Sequence, residues 1–220
     1  MKARAILVSV LVALAACAVL PQALAAPSLE GYTGLLLIPT ADALNQGEYN
    51  VAFFALSLEE GADSNVFAAN LGLAGAAEVG IARLRPEGGP SETLLNGKYN
   101  FRAEEGGKPA LAVGVIDATD EIETTAYVVA SQTLSRNVLR TGKEIASPRV
   151  HVGIGGGRLN GLFFGASAVL GDTLTLIAEY DSEDVNLGAR LALGQGLRAH
   201  AGWINGLNDV ALGVSFNKQY

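Results

Sequence analysis

Strict alternation governs the end of the chain and decides what it can fold into. Leu174, Leu176, Ala178 and Tyr180 share one parity, while Thr173, Thr175 and Glu179 take the other. Val185, Leu187, Ala189, Leu191 and Leu193 then oppose Asn186, Gly188, Arg190 and Ala192. Leu197, Ala199, Ala201 and Trp203 oppose Arg198, His200 and Gly202, and Val210, Leu212, Val214 and Phe216 oppose Ala211, Gly213, Ser215 and Asn217. A period of two belongs to strands, whose successive side chains leave opposite faces. Gly171-Asp172, Asp181 to Asp184, Gly194 to Gly196 and Asn205 to Asp209 separate the runs and have the composition and length of hairpin turns. The chain from Leu162 to Tyr220 therefore reads as a meander of about five antiparallel strands.

Earlier strands are expected near Glu48 to Leu58, Ser64 to Leu73, Ala77 to Arg85, Thr93 to Arg102, Ala110 to Ile116, Glu123 to Thr133 and Pro148 to Gly155. The total is about twelve, an even number as bacterial barrels require, with ten and fourteen as neighbouring counts. Mean hydropathy is positive at +0.30, yet beyond the N-terminal segment no apolar run reaches the length of a spanning helix. An apolar surplus spread thinly along the chain suits an all-β, antiparallel transmembrane barrel, in which only alternate residues meet lipid. A soluble periplasmic β-sandwich offers the same alternation to a protein core. With charged residues at 17%, it would lack the polar side chains to cover its wet faces.

Residues 1 to 25 read as a secretory signal peptide: Lys2 and Arg4, an apolar stretch from Ala5 to Leu20, then Ala23-Leu24-Ala25, with cleavage after Ala25. Leu14-Ala15-Ala16-Cys17 fits a competing lipoprotein pattern, in which Cys17 carries the lipid. Cys17 is the single cysteine, so cleavage after Ala25 leaves no disulfide and no thiolate metal site. The remainder, about 195 of the 220 residues, suffices for one domain. We divide it into a lead segment, 26 to 47, and a barrel, 48 to 220. A net charge of −7 argues against nucleic acid as a partner.

If the first strand runs outward, one set of connections gathers acid: Glu59 to Asp63, Pro86 to Gly89, Asp117 to Glu121, Asp181 to Asp184 and Asn208-Asp209. That rim is expected to be extracellular. Leu73 to Ala76, Gly171-Asp172 and Gly194 to Gly196 would be periplasmic, where Leu134 to Ser147, with Arg136, Arg140 and Lys143, is unusually long. Tyr49, Tyr99, Phe101, Phe163, Phe164, Tyr180, Trp203 and Tyr220 lie near strand ends, as interfacial girdles do.

Parity turns Glu179, Asn186, Arg190 and His200 inward, where a polar lumen network of paired opposite charges is expected. A hydrolase would need a Ser and His positioned by a third polar group; His151 with Ser147, or His200 with Ser215, could be proposed, but such pairs are common by chance and no catalytic residue is assigned. The glycines of Gly153 to Gly161 lead into a strand and lack the following Lys and Ser or Thr, so they read as a hairpin and not a phosphate loop. No cofactor and no metal site are expected.

Two stretches carry resemblances. Val210, Leu212, Val214, Phe216 and terminal Tyr220 are similar to the signal by which outer-membrane barrels are recognised by their assembly machinery, departing from it at Lys218. Gly31, Thr33-Gly34, Ile38-Pro39-Thr40-Ala41 and Gly47 resemble the start of YjbH-type outer-membrane proteins, over roughly Gly31 to Phe54. The resemblance implies a short, barrel-only form, accessory to export or assembly of exopolysaccharide, with that polymer or its secretion proteins as partners beside the outer-membrane lipids. The alternative is a small solute channel or structural barrel without a polysaccharide role. Either places the protein in the outer membrane, with periplasmic or lipid-anchored placement as the competing expectation. The lead segment, with Leu35 to Ile38 broken by Pro39, either tucks under or into the pore or forms a short edge strand.

Overall fold

The computed structural model describes residues 25–134, 148–171 and 173–219. Cys17 and the signal sequence to residue 24, the basic Arg136, Arg140 and Lys143, Ser147, Asp172 and Tyr220 lie outside the described residues. The described strands, in sequence order, are β1 (Glu48–Ser57), β2 (Ser64–Gly72), β3 (Ala77–Pro86), β4 (Glu92–Arg102), β5 (Ala110–Ile116) and β6 (Thr125–Thr133). They continue with β7 (Arg149–Gly155), β8 (Gly161–Leu170), β9 (Leu174–Tyr180), β10 (Val185–Gly194), β11 (Leu197–Ile204) and β12 (Asp209–Gln219). Every strand pairs antiparallel with its sequence neighbours, and β1 closes on β12 with Glu48 opposite Gln219 and Ser57 opposite Val210. Closure leaves no edge with unpaired backbone groups, the condition for a sheet to cross a membrane. The expected all-β, twelve-stranded antiparallel barrel is the observed fold.

An even strand number brings the start of β1 and the end of β12 to one rim, here called the chain-end rim. The acidic connections all lie at the opposite one, the loop rim. Charge is not confined there, because the 103–109 connection at the chain-end rim carries Glu104 and Glu105.

The outer face is apolar, with Phe67, Val79, Ile81, Val152, Ile154, Leu176, Leu187, Leu212 and Val214 all exposed. In water such a surface would drive association; against lipid it is the stabilising face of a barrel. Aromatics border it. Tyr49 against Phe216 with Tyr99 and Phe101 mark the chain-end side, and Phe164 against Tyr180 with Trp203 mark the loop side. Phe163 is a correction to the expected girdle: it is fully buried in the lumen, because adjacent residues of a strand leave opposite faces and Phe164 takes the outer one.

β6 begins two residues later than expected. The Glu123 amide, expected to open that strand, is donated to the Asp117 carboxylate (3.1 Å) together with those of Glu121 (3.2 Å) and Ile122 (2.8 Å). The Thr119 hydroxyl donates to the same carboxylate at 2.8 Å. A backbone committed to a side chain cannot enter the ladder, which starts at Thr125 instead.

Candidate functional site: the lumen and its plug

The barrel is filled by the lead segment. Leu29, Tyr32, Leu35, Leu36, Ile38, Ala41 and Leu44 are buried within it, and the segment folds back on itself through antiparallel bridges between Pro27 and Thr33 and between Gly34 and Pro39. Leu29 N donates to Leu36 O (2.9 Å), Gly34 N to Ala26 O (2.9 Å), and the Tyr32 hydroxyl to Leu37 O. A left-handed residue is needed where the chain reverses, and Gly31 supplies it with φ 83°. A side chain there would also strike Ala82 and Ala68 of the wall.

The segment spans the lumen from rim to rim. At the chain-end rim Asn217 Nδ2 donates to Ala25 O (2.9 Å), and Arg149 pairs with Asp42 (2.9 Å) and with Glu104 (3.4 Å). At mid-depth Glu179 accepts from the amides of Leu36 (2.9 Å) and Leu37 (2.7 Å). Arg190 Nη2 donates to the carbonyls of Pro27 (3.2 Å), Gly34 (2.9 Å) and Leu35 (2.6 Å). Glu78 accepts from the Thr33 amide (3.0 Å), the Thr33 hydroxyl (2.9 Å) and the Leu44 amide (3.0 Å), while Lys98 Nζ donates to Thr33 and to Asp42 O (3.0 Å). Toward the loop rim Asn96 Nδ2 holds Glu30 O (2.9 Å), and Arg158 pairs with the Glu30 carboxylate. That carboxylate raises the Arg158 pKa above its ordinary value, outweighing the opposing effect of burial.

These bonds answer an accounting problem. A buried segment outside any sheet must find partners for its own amides and carbonyls, and here charged wall residues provide them. Apolar contacts complete the fit. A Cβ on Gly188 would meet Leu36 at 2.8 Å, and one on Gly165 would meet Leu35 at 2.7 Å and Ile38 at 2.9 Å. Gly165, Gly188 and Gly202 of the wall are sockets for Leu35 and Leu36 of the plug.

The residues singled out from sequence fall as follows. Glu179, Asn186, Arg190 and His200 are all buried toward the lumen, but among the described residues no ion pair joins Glu179 to Arg190. Glu179 and Arg190 engage the plug instead. Asn186 donates to Glu179 (3.3 Å) and more closely to Asp181 (2.8 Å), and His200 Nε2 meets Ser215 Oγ at 2.7 Å. Thr33 and Gly34 contact Glu78, Lys98 and Arg190; Thr40 is buried, Ala41 N donates to Ser131 Oγ (2.8 Å), and Pro39 closes the turn. Ser131 Oγ also meets His151 Nδ1 at 2.7 Å, so this Ser and His pair serves the plug backbone. Val210, Leu212, Val214 and Phe216 line the outer side of β12 in register. Among the described residues no three His, Cys, Asp or Glu side chains gather around a metal-sized position.

Sequence reasoning missed Glu78, Lys98, Arg149 and Arg158 on the barrel, and Glu30 and Asp42 on the plug. The signal for Glu78 and Lys98 was present: each sits on the parity opposite exposed neighbours, Val79 for one and Tyr99 for the other.

No protein-family model matches the chain, and no curated protein matches it. Solved structures do. The KdgM porin superposes with a TM-score of 0.56 at 9% identity, covering 76% of this chain and 98% of that one. KdgM porin in complex with disordered oligogalacturonate gives 0.54 at 9% identity with the same coverage. The NanC porin gives 0.50 at 8% identity, again over 76% of this chain and 98% of that one. At such identities the likeness is one of fold, and the conclusion is that this chain builds a porin-like twelve-stranded membrane barrel.

Proposed function

We propose that this protein is a non-enzymatic outer-membrane barrel of the porin architecture, closed at rest by its own N-terminal segment, and a small-solute channel when that segment leaves the lumen. The carrying observation is the fully seated plug inside a polar wall. An empty lumen of Asn, Ser, Arg, Lys and Glu side chains suits water, whereas the plug excludes it. Porin-like fold neighbours support the channel class and the outer-membrane location. On this reading the loop rim is extracellular and the chain-end rim periplasmic. Planar-bilayer recording tests it: the intact barrel is expected to show no steady current, and Gly202→Val, whose Cβ would meet Leu36 at 3.1 Å and the wall backbone at 3.7 Å, to produce openings. Steady open-pore conductance from the intact protein would refute closure.

A second reading keeps the exopolysaccharide accessory role. It draws support from the YjbH-type residues Thr33, Gly34, Pro39, Thr40 and Ala41, all of which belong to the plug. A deletion strain with reduced surface polysaccharide and normal solute uptake would favour it; normal polysaccharide would remove it.

A further inference from the structure

The outer wall of the barrel is apolar but not uncharged, and its charge has one sign. On the described strands every carboxylate, Glu48, Glu78, Glu92, Glu179 and Asp209, falls on the inward parity. The outward parity carries four exposed cations, Arg83, Arg85, Arg102 and Lys218. Arg102 and Lys218 stand apart at the chain-end rim, where Arg102 Nε donates to Pro109 O at 3.0 Å. Arg83 and Arg85 stand together, two residues apart toward the loop-rim end of β3, on the face that exposes Val79 and Ile81. Arg85 lays its guanidinium over the Phe67 ring, 5.1 Å from the centroid, and Arg83 Nη1 donates to Thr93 Oγ1 at 3.2 Å. Phe67 and Thr93 both lie opposite Arg83 in the ladder, so the two guanidiniums are held along the wall at the margin of the apolar belt. The acids of the neighbouring turns are Glu59, Glu60, Asp63 and Glu87, and Glu92 points inward opposite Leu84. Among the described residues none of them forms an ion pair with Arg83 or Arg85.

We propose that Arg83 and Arg85 form a docking site on the outer wall for a phosphorylated glycolipid, whose phosphate monoester they bind. The inference rests on the outer-membrane reading with the loop rim extracellular, and is independent of the plug and of any channel. A cation on a lipid-facing wall is unfavourable unless it meets the headgroup level or a partner of opposite charge. The bond to Thr93 engages one of the five N–H donors of Arg83, and Arg85 meets Phe67 with its face, which leaves its edge donors for a ligand. Two cations roughly 7 Å apart along a strand balance the nearly two charges of a phosphate monoester, and guanidinium edges take phosphate oxygens in pairs. The acyl chains of such a lipid would lie along Phe67, Val79, Ile81 and Leu95, which are exposed on the same face. The turn carboxylates above accept hydrogen bonds from sugar hydroxyls and repel a headgroup that offers charge alone, which favours a glycolipid over a plain anionic phospholipid.

The test is native mass spectrometry of the full chain in a neutral detergent, with three separate probes: bisphosphorylated lipid A, the same lipid with its phosphates removed, and phosphatidylglycerol. The intact barrel is expected to retain lipid A roughly tenfold better than the dephosphorylated form. Arg83→Gln with Arg85→Gln should abolish that preference. Arg102→Gln with Lys218→Gln removes as much outward charge at the other rim and should leave it in place. A gel-mobility shift on boiling checks that each variant is folded, and the comparison of the two lipid A forms on the intact barrel needs no variant. Equal retention of those two forms overturns the site, as does a preference unmoved by the β3 substitutions or lost equally with the chain-end pair. Phosphatidylglycerol retained as well as lipid A overturns the glycolipid assignment. All of these results leave the outer-membrane reading standing, whereas recovery of the protein outside the outer-membrane fraction overturns that reading whatever lipid it binds.

Discussion

At the scale of single residues, the plug is a set of paired obligations. Leu36 is seated between Gly188 and Gly202, where added β-carbons would meet it at 2.8 and 3.1 Å. Leu36→Ala should weaken plug seating by about 2–5 kcal/mol, the usual loss for a buried leucine, read as faster proteolysis of the plug with the barrel still resistant. Asp117 supplies a second case. Burial pushes its pKa up, but the Ile122 amide, the Thr119 hydroxyl and the Glu121 and Glu123 amides together bring it below the ordinary carboxylate value. A carboxylate whose pKa is lower folded than unfolded adds stability that is complete above the unfolded value, near 3.9, and is lost as pH falls through the folded one. The 117–124 loop should therefore be fixed at neutral pH and loosen only below about pH 3.9, measured by amide hydrogen exchange across an acid series. Asp117→Asn should loosen it at all pH values, by about 1–3 kcal/mol, and erase the pH dependence.

At the scale of elements, β9 to β12 were legible because Leu, Val and Trp alternate there with Asn, Arg and His, and large and polar side chains make parity visible. β3 to β7 were harder, since small residues such as Gly80, Ala82, Gly114 and Gly153 take inward positions and blur the contrast. Gly80 leaves room for the plug backbone at Gly31, whereas Gly114 and Gly153 leave room for the inward rings of Tyr127 and Phe163. The plug could be suspected from sequence but not drawn. Leu35 to Ile38 have no period to orient them, and their partners lie far along the chain, Glu179 being 143 residues from Leu36. Strand parity gives the direction of Glu179 and Arg190, yet not what they hold: paired charges and a clamped backbone both satisfy an inward polar face. The clamp predicts an order of severity. Glu179→Gln keeps one acceptor for the Leu36 and Leu37 amides, while Glu179→Ala leaves both unpaired, so bilayer openings should be rare in the first and frequent in the second.

At the scale of the molecule, closure and filling are separate achievements. The ladder from β1 round to β12 depends on the barrel strands alone, whereas the lumen is completed by residues that precede them. A barrel of this kind should resist detergent when unheated and shift in gel mobility on boiling, and Leu36→Ala should lower the temperature of plug release before that of the mobility shift. Agreement of the fold with porins at 9% identity has the same origin, because closure requires alternation, turns and strand number but no particular side chain. The lumen of this chain is filled by the plug, and the position of the plug is the central claim. The most direct measurement is thiol labelling of Leu36→Cys in a Cys17→Ser background, with a bulky water-soluble maleimide applied to the folded, detergent-extracted barrel and to the boiled protein. Closure by the plug predicts labelling only after boiling. Rapid labelling of the folded barrel would place Leu36 in water and contradict it.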